Sequence, residues 1–261
     1  MALLEVDNLC KSFGGLAAVK NISISVPQGK IISLIGPNGA GKTTVFNLLT
    51  GFYERDAGQV VLDGENLGNL PAHGFIVKGL SRTFQNLRLF SKMTALENVL
   101  VGYQSRICSG DFDAVFRTKR FRREEQNALE QSRAALARLG LGAHEQEICS
   151  GLPYGMQKRL EIARALVSTP KILLLDEPAA GLNPNETEEI CQLIRSLCEE
   201  GNTIFLIEHD MRLVMSISDY VYVMDHGEML SEGIPAEVQK DQKVIGAYFG
   251  KGGAAYAAER G

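Results

Sequence analysis

The nine residues 36–44 constrain the fold of this chain more than any other stretch, and they read Gly-Pro-Asn-Gly-Ala-Gly-Lys-Thr-Thr. They fit the phosphate-loop pattern G-x-x-x-x-G-K-[ST]. The run before them, residues 30–35, has the length and the branched side chains of a buried strand. Residues 45–49 continue with helical character. Because the pattern needs a strand before it and a helix after it, the sequence predicts an α/β fold around a phosphate-binding loop.

The residue types in this loop suit the binding of phosphate groups. Glycines let the backbone turn tightly and approach a ligand closely, and the N–H groups and the positive end of the following helix then face one anion. The lysine is expected to bridge the outer phosphates, and the threonine after it is expected to bind Mg²⁺ through its hydroxyl. The residues predicted to hold the nucleotide are Gly36, Asn38, Gly39, Ala40, Gly41, Lys42, Thr43 and Thr44.

The composition has the ordinary balance of a soluble globular protein and disfavours several other classes. The 261 residues, 45% of them hydrophobic and 22% charged, suffice for one large domain. The net charge of -4 disfavours general nucleic-acid binding, which usually accompanies a basic excess. No apolar run is long enough to span a membrane, and the N-terminus lacks the pattern of a signal peptide. The five scattered cysteines predict free thiols in a reducing compartment.

Alternating and continuous apolar runs predict the strands. The four successive apolar residues 172–175 are typical of a strand that is buried on both faces, as in a parallel sheet. Residues 11–15 are expected to form a turn between two half-buried strands. A hairpin is expected around the turn 225–228. The predicted strands are 4–9, 22–26, 30–35, 58–64, 81–85, 171–177, 203–207, 220–224 and 229–230.

Between about 87 and 167 the sequence changes to a helical pattern. Thr94 followed by Glu97 forms a capping box, which predicts the start of a helix. Residues 121–139 contain many helix formers with leucines at helical spacing. We therefore expect a single domain over residues 1–261, with a helical subdomain of about 87–167 inserted in it. The glycine- and alanine-rich segment 250–261 is expected to fray.

Two adjacent carboxylates, Asp176 and Glu177, end the most apolar of the predicted strands. The carboxyl ends of strands are where open α/β sheets bind their ligands. A phosphate-loop NTPase needs a strand-end carboxylate to hold Mg²⁺, and Asp176 fits that role. Hydrolysis also needs a group that orients or deprotonates water, and Glu177 lies beside it in the chain.

Two further polar residues end other predicted strands. Gln85 is expected to reach the metal or the attacking water as a neutral ligand. His209 is expected to donate a hydrogen bond to the γ-phosphate; a lone histidine is usually a core residue, but its place after a buried strand favours the functional interpretation. The metal-ligand candidates are thus Thr43, Gln85 and Asp176, and the catalytic candidates are Glu177, His209 and Gln85.

In these motifs the chain resembles the ATPase subunit of an ATP-binding-cassette (ABC) transporter over nearly its whole length. In chain order, the matching motifs are Phe13 for the aromatic residue that stacks on adenine, residues 36–44 for the Walker A loop, Gln85 for the Q-loop, residues 175–178 for Walker B with its catalytic glutamate, residues 180–183 for the D-loop and His209 for the switch histidine. Residues 157–166 are similar to the helix that follows the family signature.

This resemblance implies a fold, cofactors and partners. The implied fold is a RecA-like α/β core with an antiparallel β subdomain and a helical subdomain, and the implied cofactors are ATP and Mg²⁺. The implied partners are a second ABC ATPase subunit, two membrane permease subunits and, indirectly, a periplasmic substrate-binding protein, with no nucleic acid. Such an assembly would place this chain peripherally at the cytoplasmic face of the bacterial inner membrane.

Several short phrases resemble one subfamily, the ATPases of bacterial branched-chain amino-acid importers. They are residues 50–53, 82–85, 179–184, 206–211 and 244–250. The alternatives are an ABC ATPase for urea, short amides or lipopolysaccharide export, and a soluble ABC ATPase in DNA repair or translation. A single cassette without a cysteine cluster or heptad repeats disfavours the soluble types. An intact Glu177 and His209 argue against a purely nucleotide-binding switch.

The family signature L-S-G-G-Q is altered here to Leu-Pro-Tyr-Gly-Met at residues 152–156. Pro153 lacks both the serine hydroxyl and a backbone N–H donor. Gly155, which permits close approach of a phosphate, remains and is implied to contact nucleotide. In this family the signature loop closes the nucleotide site of the other subunit, so we expect the working dimer to be a heterodimer.

Overall fold

A computed structural model of the chain describes residues 2–107, 113 and 116–249. Its strands are β1 (Ala2–Phe13), β2 (Leu16–Pro27), β3 (Ile31–Ile35), β4 (Ala57–Leu62), β5 (Glu65–Asn66), β6 (Leu80–Arg82), β7 (Ile172–Asp176), β8 (Thr203–Ile207), β9 (Tyr220–Asp225) and β10 (Glu228–Gly233). Its helices are α1 (Lys42–Leu49), α2 (Ala72–Lys78), α3 (Ala95–Tyr103), α4 (Lys119–Arg138), α5 (Tyr154–Leu166), α6 (Pro184–Glu199), α7 (Met211–Ile217), α8 (Pro235–Val238) and α9 (Gln242–Phe249).

The strands form two sheets. The larger sheet has the order β10-β9-β3-β8-β7-β6, and it is parallel except for the antiparallel hairpin of β9 and β10. The smaller sheet has the order β2-β1-β4-β5 and is antiparallel. This arrangement confirms the expected α/β core with an antiparallel β subdomain.

The parallel strands are buried on both faces, as their continuous apolar runs predict. In β3, Ile32 and Leu34 pack into the core that lies between the two sheets. Ile31 and Ile35 point to the opposite face, where they join the core formed with the helices. The same alternation holds in β7 and β8. The large sheet is therefore the middle layer of the molecule, and its carboxyl-end edge is held rigidly from both sides.

The first hairpin differs from its sequence-based prediction. Residues 11–15 were expected to form a turn, yet β1 and β2 continue to Phe13 and Leu16, which pair directly across the hairpin. The turn is confined to Gly14 and Gly15. The end of β1 is also fixed by Asp56, which accepts hydrogen bonds from the Lys11 ammonium and the Ser12 N–H, both at 2.7 Å. These contacts from a distant segment extend the strand beyond the alternating pattern.

Between β6 and β7 the described residues form the helices α3, α4 and α5 with connecting loops, and they contribute no strand to either sheet. The predicted capping box is confirmed: the Thr94 side chain accepts a hydrogen bond from the Glu97 N–H, and the Glu97 carboxylate accepts one from the Thr94 N–H. The limits of the helical subdomain, about 87–167, remain a prediction. The expected fraying of residues 250–261 lies outside the described residues.

The strand predicted over residues 81–85 was wrong at its end, because β6 stops at Arg82. Thr83 still donates to the Leu174 carbonyl of β7 at 2.9 Å. The next backbone amide, that of Phe84, instead approaches the carboxylate of Glu161 on α5 at 3.4 Å. Gln85 therefore lies in a loop that turns from the sheet toward α5. Among the described helices, none combines the length and the apolar character that a membrane crossing requires.

Candidate functional site

The phosphate loop joins β3 to α1 and requires glycine at two of its turns. A Cβ added to Gly36 would lie 2.2 Å from the Met224 carbonyl oxygen, and one added to Gly41 would lie 2.5 Å from the Ala18 carbonyl oxygen. Gly41 also has a φ of +103°, which disfavours other residues. Residues of β9 and β2 thus press directly on the loop and fix its path.

The loop encloses its own lysine. The Lys42 ammonium donates to the carbonyl oxygens of Gly36 and Pro37 at 2.7 and 3.0 Å. Burial lowers the pKa of Lys42, while the negative charges of Glu177 and Asp176 raise it. The ammonium is thus held inside the turn, where a bound phosphate would meet it.

The remaining loop residues differ in exposure. Asn38 and Gly39 are exposed, whereas Ala40 is buried, and its carbonyl accepts a hydrogen bond from Gly227 at 3.0 Å. Thr43, in the first turn of α1, is exposed, and Thr44 is half-buried. The open side of the loop and the start of α1 are therefore accessible, and their binding of a nucleotide stays a prediction.

Asp176 ends β7 and is almost completely buried in an ion pair. Its Oδ2 accepts from the Arg82 guanidinium at 2.6 Å, and the two side chains are 1% and 6% exposed. Its Oδ1 has no hydrogen-bond partner among the described residues. Burial raises the pKa of Asp176, and the Arg82 charge opposes that shift. One carboxylate oxygen is therefore left available to an additional cation.

The three predicted metal ligands come together. Thr43, Gln85 and Asp176 line one cavity of about 250 Å³ at the carboxyl-end edge of the large sheet. Each offers an oxygen atom, as a hydroxyl, an amide or a carboxylate, and oxygen ligands are those that Mg²⁺ prefers. With the unpartnered Oδ1 of Asp176 beside the phosphate loop, this donor set fits a magnesium ion.

The three predicted catalytic residues also come together. Glu177 has a φ of +49°, a strained conformation for a residue with a side chain, and its N–H donates to the Ile207 carbonyl at 2.9 Å. Its Oε2 accepts from the Gln85 amide at 2.9 Å and lies 3.7 Å from Nδ1 of His209. His209 is 55% exposed, so it is not a core histidine. The Glu177 carboxylate is thus held by one hydrogen bond from Gln85, with the His209 ring close by.

Phe13 lies exposed at the end of the first hairpin. Its ring packs edge-to-face against the ring of Tyr53, with 5.2 Å between centroids. Sequence reasoning did not propose Tyr53 as a partner of Phe13. The signal for it in the sequence was an aromatic residue shortly after the phosphate-loop helix. The return strand β2 runs past Gly41, which keeps Phe13 on the same hairpin that borders the phosphate loop.

The structure does not bring Gly155 to this cavity. Gly155 lies in the first turn of α5, where an added Cβ would be 3.0 Å from the Glu186 carboxylate. Pro153 is the N-cap of α5 and provides no side-chain hydrogen bond to it. The Tyr154 hydroxyl donates to the Ala180 carbonyl at 3.3 Å. The signature segment is thus packed on the segment after Glu177 of its own chain.

Sequence reasoning also missed several charged residues around the site: Lys158, Glu161 and Glu208 are buried, and the side chain of Arg82 is only 6% exposed. Glu208 accepts hydrogen bonds from the backbone N–H groups of Ala179 and His209 at 3.0 and 3.1 Å. Burial raises the pKa of Glu208, and these backbone donors oppose the shift. It thereby ties the end of β8 to the segment that follows β7.

Comparison with known proteins agrees with the geometry. The family model described as ABC transporter matches residues 19–180, and one described as branched-chain amino acid ATP-binding cassette transporter matches residues 228–254. Two relatives are high-affinity branched-chain amino acid transport ATP-binding proteins. LivG of Salmonella typhimurium is 49% identical to this chain and BraF of Pseudomonas aeruginosa is 48% identical, each over 95% of this chain and 98% of the relative. A crystal structure of an ATP-binding cassette of an ABC transporter in its ADP conformation is 33% identical, covers 96% of this chain and all of that one, and superposes with a TM-score of 0.84.

Proposed function

The chain belongs to the ABC transporter family of ATPases, and we propose that it powers the uptake of branched-chain amino acids through a membrane permease. The observation that carries this substrate class is the match of residues 228–254 to the branched-chain family model, outside the region that the general ABC model covers. The 49% identity to LivG over nearly the whole chain supports it. The residues around the phosphate loop supply the chemistry.

ATP is held by the phosphate loop, with its adenine on Phe13 and its outer phosphates at Lys42. Thr43, Gln85 and Asp176 would hold the Mg²⁺ ion. When bound, the ion neutralises charge on the phosphates and so favours the attack of water on the γ-phosphorus. The tight ion pair with Arg82 fixes the Asp176 carboxylate, whose Oδ1 has no hydrogen-bond partner among the described residues.

Glu177 acts as the general base for the attacking water. A carboxylate suffices for this role without a large pKa shift, provided that it is positioned within hydrogen-bond reach of the water. The Gln85 amide and the strained backbone of Glu177 provide that positioning. His209, next to the same carboxylate, donates to the γ-phosphate.

The proposed assembly contains this chain, a second ABC ATPase subunit, two permease subunits and a periplasmic substrate-binding protein, with this chain at the cytoplasmic face of the inner membrane. The two ATPases form a head-to-tail dimer, and the signature loop of the other subunit closes the nucleotide site of this one. Closure moves the helical lobe at about 87–167, and the permease loops docked on it transmit the motion.

Reconstitution tests this proposal. The chain is co-expressed with its neighbouring transport subunits, purified as a complex and placed in lipid vesicles that enclose ATP. Radiolabelled leucine, isoleucine and valine, added outside with the cognate periplasmic protein, should accumulate inside the vesicles. Lys42→Ala should abolish this uptake. Uptake of urea or short amides instead would reject the substrate class, and failure to co-purify with any membrane subunit would reject the transporter role.

A further inference from the structure

Three charged residues lie one turn apart along α5 and face the segment 84–88. They are Lys158, Glu161 and Arg164, at a spacing of three residues that places them on one side of a helix. Lys158 and Glu161 are each only 2% exposed. Buried charges are costly unless they are paired or hydrogen-bonded, so their partners identify what they hold.

The partners of these three side chains are backbone groups. The Lys158 ammonium donates to the Gln85 carbonyl at 3.3 Å and to the Glu177 carbonyl at 3.2 Å. The Glu161 carboxylate lies 3.4 Å from the Phe84 nitrogen and 3.5 Å from the Arg88 nitrogen, with both N–H groups directed at it.

The other end of the segment is fixed in the same way. The Arg164 guanidinium donates to the Arg88 carbonyl, and it lies 3.8 Å from the Glu161 carboxylate. Burial lowers the pKa of Lys158 and raises that of Glu161, while the surrounding opposite charges resist both shifts. Glu161 thus offsets part of the charge of its two basic neighbours, while each of the three side chains bonds to the 84–88 backbone.

We propose that Lys158, Glu161 and Arg164 are positioning residues for ATP hydrolysis, which fix the 84–88 segment and the Glu177 carbonyl to α5 as one unit. Because Lys158 contacts the backbone of Gln85, the Gln85 side chain remains available and bonds the Glu177 carboxylate at 2.9 Å. Gln85 and Glu177 therefore share two links, one between their side chains and one through Lys158. A shift of α5 would therefore act on the 84–88 segment through three side chains and on the Glu177 carbonyl through Lys158.

This inference rests on the proposed roles of Gln85 and Glu177 in hydrolysis. An apolar side chain at position 158 distinguishes a positioning role of Lys158 from a space-filling role. Methionine has nearly the length of lysine and fills the same space, but it has no donor for the two carbonyl groups. The Glu177 carbonyl keeps its second partner, the Ala180 N–H at 3.2 Å, so α5 loses its link to Glu177 without unfolding the turn.

The test compares Lys158→Met and Lys158→Arg in the assembled transporter and in the full-length chain. Arg159→Met is the matched control, because Arg159 lies on the same helix and pairs with Glu189 on α6 rather than with the site. For Lys158→Met we expect kcat to fall by about ten- to a hundredfold, the scale of a small misplacement of catalytic groups. KM for ATP should stay within about twofold of wild type, because the phosphate loop is untouched. Lys158→Arg should recover most of the turnover.

Hydrogen exchange followed by mass spectrometry separates positioning from general stability. Lys158→Met should speed amide exchange in the peptide that covers 84–88 and leave the rest of α5 and the sheet unchanged. Wild-type kcat in Lys158→Met would overturn the inference, as would faster exchange spread over the whole of α5. If Glu177→Gln retains turnover, the proposed catalytic role fails instead, and the exchange result still decides whether α5 holds the segment.

Discussion

At the scale of single residues, the Glu177 carboxylate carries the proposed chemistry. Glu177→Gln keeps the shape of the side chain but removes the base. We expect ATP still to bind while turnover falls by at least about a hundredfold, the usual effect of losing a general base. Fluorescent-nucleotide titration and phosphate release in the assembled transporter measure the two quantities. Lys42→Ala should instead weaken nucleotide binding itself, and near-normal turnover in Glu177→Gln would refute the assignment.

Arg82 is a residue-scale determinant of stability. Arg82→Leu leaves Asp176 buried without its counter-charge, which should cost about 3–5 kcal/mol of unfolding free energy. Asp176→Asn combined with Arg82→Leu should cost clearly less than the sum of the two single changes, because the two groups interact directly. Urea unfolding without nucleotide measures these values.

An exposed ion pair provides the control for Arg82. Lys171 and Asp63 are 2.6 Å apart, but their side chains are 48% and 58% exposed. Lys171→Met should cost less than about 1 kcal/mol, as expected for a solvated pair. Additive effects of the two changes at Arg82 and Asp176 would show that their ion pair does not stabilise the site.

At the scale of elements, the segment 86–90 is the proposed docking site for the permease. Asn86, Arg88 and Phe90 are exposed, while Leu87 and Leu89 are half-buried. Phe84, Arg88 and Phe90 also line an open cavity of about 330 Å³ together with Ile76 and Val101. A loop that contacts Gln85 on one side and a partner on the other would report the nucleotide state. The alternative to a docking role is that the segment 86–90 only connects β6 to the helices.

Cysteine cross-linking distinguishes these alternatives. In a background without the native cysteines, Arg88→Cys or Leu89→Cys should cross-link to cysteines in the cytoplasmic loops of the permease. Glu232→Cys is the control, because β10 is the opposite edge strand of the large sheet from β6 and Glu232 is exposed. Cross-links from Glu232→Cys without any from the segment 86–90 would place the permease on the other edge.

At the scale of the whole molecule, Pro153 predicts an asymmetric dimer. As the N-cap of α5 it offers neither a hydroxyl nor an N–H to a phosphate of the other subunit. Hydrogen bonds to charged groups contribute about 1.5–3 kcal/mol each, so a homodimer would close at least about tenfold more weakly. In a heterodimer, the signature loop of the other subunit closes the nucleotide site of this chain. That site therefore keeps the hydrogen bonds that Pro153 cannot provide. The N-terminal N–H groups of α5 are the alternative, since they alone can suffice for an anion.

Purification of the chain alone tests this prediction. It should hydrolyse ATP slowly and dimerise weakly even in millimolar ATP, as measured by analytical ultracentrifugation. Pro153→Ser should strengthen ATP-driven dimerisation, and Pro153→Ala should do so less, because it restores the N–H without the hydroxyl. Turnover of the heteromeric transporter should change little in either variant. A tight, fully active ATP-bound homodimer of the wild-type chain would contradict the asymmetry.

Local patterns in the sequence determined the phosphate loop, the buried parallel strands and the carboxylates Asp176 and Glu177 at the end of β7, with His209 shortly after β8, whereas Gln85 was placed on a strand that ends three residues before it. These features are readable because each depends on a short run: a motif with its flanks, or a strand whose apolar residues are consecutive. The carboxyl ends of parallel strands share one edge of a sheet, so the meeting of these residues was also predictable.

Only the tertiary structure decided which charges neutralise each other and where the elements end. Arg82 meets Asp176 across 94 positions of the chain because β6 pairs with β7, and no local pattern specifies that neighbour. Likewise Asp56 binds the end of β1 from 44 positions away, and after β6 the chain leaves the sheet where the Phe84 N–H approaches Glu161 of α5. Strand order and helix packing depend on interactions over the whole chain. The partners of buried side chains therefore cannot be deduced from local spacing alone.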